Sequence, residues 1–254
     1  MNELFDLTGK VALITGSGRG LGFTFAKGYV QAGARVVLND VSQEELDRAI
    51  ATLKEMGGDV VGYRFDVTDQ EQVEKSVNDI EDNFGPIDIL INNAGIHRRA
   101  PLDEMTPENF RKVVDVNLTS AFIVGQSVAK RMMTRKRGKI INITSLNAVM
   151  ARPNIGNYCA AKGGLTMLTK SMATEWGKYN ITANAIGPGY FKTELTRILV
   201  EDPAFDAWVK SEVPLARWGD PEDLIGAAVF LASPASDYVS GHTVYVDGGW
   251  QACL

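Results

Sequence analysis

The amino-acid sequence contains very few of the residues that crosslink proteins or bind transition metals. Its 254 residues include two cysteines and two histidines. Cys159 and Cys253 are too few for the disulfide framework of a small secreted protein. His97 and His242 lack the spacing of metal ligands. We therefore expect no metal site and a reducing, cytoplasmic setting.

The chain also lacks an excess of positive charge and lacks long apolar runs. It has 26 Lys and Arg against 31 Asp and Glu, a formal net charge of -5, and such a balance disfavours nucleic-acid binding. No stretch has the roughly 18 uninterrupted apolar residues that a membrane-spanning helix needs. Met1–Asp6 has no secretion-signal pattern. We expect neither a nucleic-acid nor a membrane partner.

What the sequence does contain is a regular alternation of short β-rich runs and longer amphipathic segments. It predicts an α/β, doubly wound fold in which helices cover both faces of a parallel sheet. No linker or repeat interrupts the pattern, so residues 1–254 are predicted to form one domain. Strands are predicted at Val11–Thr15, Arg35–Asn39, Val60–Phe65, Ile87–Asn92, Lys139–Thr144, Thr182–Ile186 and Thr243–Val246. Helices are predicted at Gly20–Ala32, Gln43–Met56, Gln70–Phe84 and Asn157–Lys178, among others.

The alternation breaks at Gly187–Val213. Gly187-Pro-Gly189 does not continue a helix, and Pro203 and Pro214 interrupt the residues that follow. Long segments of this kind in a compact domain often close over a site. We predict a substrate lid at about residues 188–213, with an ordinary surface excursion as the alternative.

A glycine-rich turn joins the first predicted strand to the first predicted helix. The stretch Thr15–Gly22 has a Gly-x-x-x-Gly-x-Gly spacing. Glycine permits tight turning and close approach of a ligand to the backbone, and a helix N-terminus favours a pyrophosphate. A dinucleotide is therefore predicted to contact Gly16, Ser17, Arg19, Gly20, Leu21 and Gly22.

The ends of the next three predicted strands supply further candidates. Asp40 ends the second strand, where a carboxylate accepts hydrogen bonds from ribose hydroxyls and repels a 2′-phosphate. Arg19 would instead attract that phosphate, so we predict NAD and keep NADP as the alternative. The third and fourth strands end in candidates for the adenine and for backbone contact with the cofactor: Asp66, Val67, Asn93, Ala94 and Gly95. For Asp66 and Asn93, the alternatives are a helix cap and a turn.

Tyr158 and Lys162 are four residues apart on a predicted helix and therefore lie on one face of it. A phenol with a pKa of about 10 is a poor base at neutral pH, and a neighbouring ammonium group is expected to lower that pKa. The tyrosine can then exchange a proton with a substrate hydroxyl. Ser145 follows an apolar strand, at the edge of the sheet where α/β proteins bind ligands.

In combination, these motifs resemble those of the short-chain dehydrogenase/reductase family. The resemblance runs from Gly9 to Gly249 and includes Thr15-Gly-x-x-x-Gly-x-Gly22, Asn92-Asn-Ala-Gly95, Asn117, Ser145, Tyr158-x-x-x-Lys162 and Pro188-Gly189. It implies a Rossmann-type sheet of seven strands and, usually, a homotetramer.

The resemblance also implies roles for the catalytic residues. Tyr158 would be the general acid/base and Ser145 would hold the substrate oxygen. Lys162 would bind the nicotinamide ribose and lower the pKa of the tyrosine, while Asn117 would anchor a water in a proton relay. The residues implied to cover the nicotinamide are Pro188, Gly189, Phe191 and Thr193.

Within the family, several segments resemble the gluconate 5-dehydrogenases, which interconvert D-gluconate and 5-keto-D-gluconate. These segments are Met1–Leu7, Gly95–Arg99, Gly189–Glu194, Ala216–Gly219 and Asp220–Leu231. A 2-deoxy-D-gluconate 3-dehydrogenase is an alternative, since those enzymes share the arginine pair. A 3-oxoacyl carrier protein reductase is another, although an acidic carrier would favour a basic surface. A non-catalytic dinucleotide-sensing protein is a more distant alternative.

The arginine pair Arg98 and Arg99 follows the fourth predicted strand, where a substrate would lie. Guanidinium groups bind carboxylates through two parallel hydrogen bonds, and an anionic sugar acid needs such a cation on an acidic protein. Asn147 and Arg152, between Ser145 and Tyr158, are further candidates for substrate contact. The alternative for the pair is a solvated loop or a subunit contact.

Overall fold

The computed structural model describes residues 3–253. Met1 and Asn2, which open one of the resembling segments, and Leu254 lie outside the described residues. The described strands are β1 (Val11–Ile14), β2 (Arg35–Asp40), β3 (Val60–Arg64), β4 (Ile87–Asn92), β5 (Gly138–Ile143), β6 (Ile181–Pro188) and β7 (Thr243–Val246). These strands form one parallel sheet in the order β3-β2-β1-β4-β5-β6-β7. The predicted doubly wound α/β fold is confirmed.

The helices begin close to the predicted positions because local capping residues start them. Ser42 accepts a hydrogen bond from the backbone N–H of Glu45, and Asp69 accepts one from Gln72, so each caps its helix. The described helices are α1 (Gly20–Gln31), α2 (Gln43–Glu55), α3 (Gln70–Asn83), α4 (Pro107–Val114), α5 (Ser120–Arg135), α6 (Gly156–Trp176), α7 (Arg197–Val200), α8 (Pro203–Glu212) and α9 (Ile225–Ala232). Within residues 3–253, no helix combines the length and apolarity that crossing a membrane requires.

Two hydrophobic cores lie on opposite faces of the sheet. Alternate residues of β1 point to each face: Ala12 and Ile14 pack with helices α1, α2 and α9, whereas Val11 and Leu13 pack with α3, α5 and α6. All four side chains are buried. The strand order reverses between β1 and β4, so a crevice opens at the carboxyl ends of these strands, where such sheets bind ligands.

The segment that follows β6 contains more helix than predicted. After a bridge between Phe191 and Gly219, it forms a short 3-10 turn and then α7 and α8. Pro203 does not interrupt this segment, because it occupies the first turn of α8, where its missing N–H has no helical partner to lose. Asp202 caps the same helix, accepting hydrogen bonds from the N–H groups of Ala204 and Phe205.

Candidate active site

A cavity of about 920 Å³ lies at the carboxyl ends of β1, β2, β4, β5 and β6. The 188–213 segment forms one of its walls. Nearly all of the predicted site residues line it: Gly16, Arg19, Gly20, Leu21, Asp40, Asp66, Val67, Asn93, Ala94, Gly95, Arg98, Arg99, Asn117, Ser145, Asn147, Arg152, Tyr158, Lys162, Pro188, Gly189, Phe191 and Thr193. The fold therefore brings the catalytic, cofactor and substrate candidates into one place.

Ser17 and Gly22 are the two predicted cofactor residues that do not line this cavity. The hydroxyl of Ser17 is buried below the glycine turn, where it donates to the carbonyl of Ile14 at 2.7 Å and accepts from the N–H of Asn39 at 3.1 Å. At Gly22, a Cβ would collide with the carbonyl of Gly16. Their positions do not support direct cofactor contact; both residues instead allow the turn and α1 to pack closely on the sheet.

The glycine turn has the shape that a pyrophosphate requires. Gly16 and Gly20 have φ angles of +60° and +59°, which favour glycine. A Cβ at Gly16 would lie 2.9 Å from the Cα of Ala94. The Asn93 side chain fixes the turn by donating to the carbonyls of Thr15 and Gly16, each at 2.9 Å. Arg19, at the N-cap of α1, makes no side-chain cap, so N–H groups at the start of this helix remain for an anion.

Asp40 and Arg19 lie on the same side of the cavity. Asp40 accepts hydrogen bonds from the N–H groups of Gly18 at 3.2 Å and Ser42 at 3.1 Å, which orient its carboxylate at the end of β2. Arg19 forms a solvent-exposed ion pair with Glu194 at 3.3 Å. The site therefore contains both a carboxylate suited to ribose hydroxyls and a guanidinium suited to a 2′-phosphate.

Asp66, just beyond the end of β3 and next to the strand that carries Asp40, makes an Asx-type turn. Its Oδ1 atom accepts hydrogen bonds from the N–H of Thr68 at 2.8 Å and from the Thr68 hydroxyl at 2.7 Å. These contacts differ from the helix-cap alternative for Asp66, because Asp69 caps the next helix. They fix a carboxylate at the cavity wall where an adenine is predicted.

Lys162 is buried next to the ring of Tyr158. Its Nζ donates a hydrogen bond of 2.7 Å to the carbonyl of Ile143, the last residue of β5, and lies 5.6 Å from the centroid of the Tyr158 ring. Burial lowers the pKa of the Lys162 ammonium to about 8. The hydrogen bond ties α6 to the strand end that carries Ser145.

The pKa of Tyr158 moves in the direction opposite to the prediction. Burial raises it to about 12, and the neighbouring Ser145 hydroxyl lowers it by a smaller amount. The predicted lowering of the Tyr158 pKa is wrong, because the cost of burying a phenolate outweighs the favourable hydrogen bond with Ser145. The protein thus holds Tyr158 as a neutral phenol, which is a proton donor.

Asn117 lies in a π-helical turn, residues 115–119, that joins α4 to α5. Its amide nitrogen donates to the carbonyl of Val113 at 2.9 Å and to that of Ile96 at 3.0 Å. Its Oδ1 atom is buried and has no partner within residues 3–253. Such an acceptor is costly to leave unpaired. It is therefore suited to the water that the relay requires.

Three arginines line the cavity: Arg98, Arg99 and Arg152. None of them forms an ion pair within the part of the chain that the structure describes. Arg152 donates to the Tyr190 hydroxyl at 2.7 Å and lies over the Phe205 ring, 4.4 Å from its centroid. These contacts hold the guanidinium at the boundary between the β5–α6 loop and the 188–213 segment.

Among the cavity-lining residues that the sequence-based reasoning missed are two with aromatic rings, His97 and Tyr190. His97 stacks on the Tyr158 ring. Tyr190 contacts four other aromatic rings and the guanidinium of Arg152. Both were adjacent in sequence to predicted residues, so a signal existed for each. Their stacking partners, however, are distant in sequence, and no local pattern indicates them.

Comparisons with known proteins agree with this geometry. A family model described as Enoyl-(Acyl carrier protein) reductase matches residues 16–251. The chain is 53% identical over 254 residues to a 2-dehydro-3-deoxy-D-gluconate 5-dehydrogenase of Formosa agariphila, covering 99% of this chain and 96% of the relative. It is 48% identical over 249 residues to a 5-keto-D-gluconate 5-reductase of Escherichia coli, covering 98% of each. A crystal structure of a gluconate 5-dehydrogenase from Burkholderia cenocepacia, in complex with NADP and tartrate, superposes with a TM-score of 0.97 at 47% identity, over 99% of both chains.

Proposed function

The chain belongs to the short-chain dehydrogenase/reductase family, and from this premise we propose that it interconverts D-gluconate and 5-keto-D-gluconate. It is an NAD(P)-dependent oxidoreductase that acts on CH–OH groups. The observation that supports a sugar acid is that Arg98, Arg99 and Arg152 line the same cavity as Ser145 and Tyr158 and form no ion pair within residues 3–253.

The cofactor, when bound, accepts or supplies the hydride. The hydroxyls of Ser145 and Tyr158 hold the substrate oxygen at the end of β5. In reduction, the neutral phenol of Tyr158 gives its proton to that oxygen. In oxidation, Tyr158 first loses its proton to the uncharged amine of Lys162, and the resulting phenolate takes the proton of the substrate hydroxyl. Lys162, whose pKa burial lowers to about 8, then passes the proton to a water at the Oδ1 atom of Asn117, which has no partner within residues 3–253.

The substrate carboxylate would bind to Arg99 and Arg152. Arg152 donates to the Tyr190 hydroxyl at 2.7 Å. Burial raises the pKa of Tyr190, and the positive charges of Arg152 and Arg99 oppose that rise. In a protein of net charge -5, two cations that line one cavity and have no ion pair within residues 3–253 create a local site for an anion.

Replacement of these arginines tests the proposal. In Arg99→Gln and Arg152→Gln, kcat/KM for D-gluconate should fall about 10- to 100-fold, the loss expected for a charged hydrogen bond, and should change about threefold or less for the neutral polyol sorbitol. Arg197→Gln removes an exposed cation of α7 that does not line the cavity and serves as the control. Equal losses on the acid and the polyol would contradict carboxylate recognition.

A second candidate substrate is 2-dehydro-3-deoxy-D-gluconate, also oxidised at carbon 5. The Formosa agariphila relative that bears this name is 53% identical. This acid has the same carboxylate and the same groups at carbons 4 to 6 as D-gluconate. Both acids therefore fit the same arginines and the same tyrosine. The ratio of kcat/KM for the two acids decides between them.

Both nicotinamide cofactors remain substrates in this proposal, with Asp40 favouring NAD and Arg19 favouring NADP.

We further propose a cytoplasmic homotetramer. The cytoplasm supplies the cofactor, and outward apolar side chains support assembly: Phe122 on α5 is 44% exposed and Met167 on α6 is 61% exposed.

A further inference from the structure

His97 lies beside the catalytic tyrosine and has no role in the steps described above. Its ring stacks on that of Tyr158, with centroids 4.0 Å apart and planes inclined by 28°. Its Nδ1 atom is buried and lacks a hydrogen-bond partner among the residues that the structure describes. A buried nitrogen without a partner costs about 1–3 kcal/mol, so a partner from outside the chain would stabilise it.

The imidazole is suited to a hydroxyl and not to a carboxylate. Burial, with the positive charges of Arg99 and Lys162, lowers the pKa of His97 to about 4, so the ring is neutral at physiological pH. A neutral imidazole has one N–H donor and one nitrogen acceptor, which matches the donor and acceptor of an alcohol. The arginines already provide the charge that a carboxylate needs.

The stacking of His97 on Tyr158 indicates which hydroxyl of the substrate the imidazole would contact. The reacting oxygen lies at the hydroxyls of Tyr158 and Ser145. Because the imidazole lies alongside the phenol ring, a group that reaches it belongs to a neighbouring part of the substrate. We propose that His97 hydrogen-bonds the hydroxyl on a carbon adjacent to the reacting carbon, so that the site selects a vicinal diol.

This inference rests on the proposed function and makes it more specific. For reaction at carbon 5, the adjacent hydroxyls are those at carbons 4 and 6. D-gluconate and 2-dehydro-3-deoxy-D-gluconate have the same groups at these carbons and differ at carbons 2 and 3. His97 therefore recognises the part that the two candidate substrates share, while Arg99 and Arg152 recognise the carboxylate.

Two variants separate stacking from hydrogen bonding. His97→Phe keeps a flat ring against Tyr158 and removes both nitrogens; His97→Gln restores a donor and an acceptor without the ring. For each, kcat/KM is measured with D-gluconate, 4-deoxy-D-gluconate and 6-deoxy-D-gluconate at saturating cofactor. The wild type should lose about 10- to 100-fold on one deoxy acid. His97→Phe should show the same loss on D-gluconate and treat that deoxy acid and D-gluconate alike within about threefold. His97→Gln should recover part of the discrimination.

A purely structural role for His97 would lower kcat/KM for all three acids by one factor, and that result would overturn the inference. Unchanged discrimination in His97→Phe would overturn it as well. The dissociation constant of the cofactor, which His97→Phe should leave within about twofold, shows that the fold is retained.

A binding series that needs no turnover separates this inference from the proposed function. Tartrate carries hydroxyls on two adjacent carbons, and malate carries one. With NADP⁺ present, the wild type should bind tartrate about 10-fold more tightly than malate, and His97→Phe should bind both alike. If the wild type prefers tartrate and His97→Phe does not, but the wild type fails to oxidise D-gluconate, the sugar-acid proposal is rejected and the diol site is retained. A preference that persists in His97→Phe would reject the diol site alone.

Discussion

At the scale of single residues, the burial of Lys162 is the feature with the largest consequence. The spacing of Tyr158 and Lys162 correctly predicted that they share a helix face. It did not predict the direction of the tyrosine pKa, because the burial of both groups depends on residues of β5 and of the 95–99 loop that lie far away in sequence. Spacing specifies neighbours along one helix, whereas the dielectric environment depends on the whole fold.

The buried ammonium predicts a specific dependence of stability on pH. The pKa of Lys162 is about 8 in the folded protein against 10.5 for the free group. Between these values the unfolded chain binds one more proton than the folded chain, so the free energy of unfolding rises with pH. Relative to Lys162→Met, the wild type without cofactor should gain about 1.4 kcal/mol for each pH unit between about 8 and 10.5. This gain is lost progressively as the pH falls from 10.5 to 8.

Urea unfolding at several pH values between 7 and 10 measures this difference. Lys170→Met removes an exposed lysine from the same helix and is the control for a general loss of charge. Parallel curves for the wild type and Lys162→Met would show that the ammonium is not held in a low-dielectric environment.

At the scale of elements, the sequence predicted the glycine turn and the residues at the ends of the parallel strands. It did not predict the helices of the 188–213 segment. The turn follows from glycine spacing between an apolar strand and a helix. The two helices after Pro188 escaped prediction because Pro203 was interpreted as a break, although proline is also typical of a first helical turn. The π-helical turn at Asn117 has no sequence signature of its own.

Arg152 connects the 188–213 segment to the β5–α6 loop, so a change in α8 should alter substrate binding. Phe205→Leu removes the ring under the guanidinium and keeps an apolar side chain. Loss of a cation–π contact of about 0.5–2 kcal/mol should raise the KM for D-gluconate about 2- to 30-fold, with a smaller effect on kcat and little effect on the KM of the cofactor. Ile198→Ala, at a side chain of α7 that is 80% exposed, should leave all three constants unchanged. A change confined to the cofactor constant would show that the segment does not orient Arg152 toward the substrate.

At the scale of the whole molecule, the fold followed from the alternation of strands and helices, because parallel strands require crossover connections. The order of the strands placed the predicted cofactor and catalytic residues at one edge. Ser17 shows the limit of this reasoning. The glycine motif places it beside the cofactor residues, but its side chain satisfies the buried backbone between β1 and β2 instead.

Assembly is a property of the surface, and the exposed apolar residues of α5 and α6 make it testable. Light scattering should give the mass of four chains of 27.6 kDa each. Phe122→Glu together with Met167→Glu should shift the protein to smaller species, since buried unpaired charge is costly. Met56→Glu, at an exposed position just after α2, should not. A monomer in the wild type would contradict the tetramer.

The proposed reaction is tested most directly by mixing the protein with D-gluconate and NAD⁺ or NADP⁺ and measuring the absorbance of the reduced nicotinamide. The product is then identified by NMR. We predict a product with its new carbonyl at carbon 5. In Tyr158→Phe, turnover should be lower by about 100- to 10,000-fold, with cofactor binding retained. Turnover of a 3-hydroxyacyl thioester but not of D-gluconate, or a Tyr158→Phe variant as active as the wild type, would contradict the proposal.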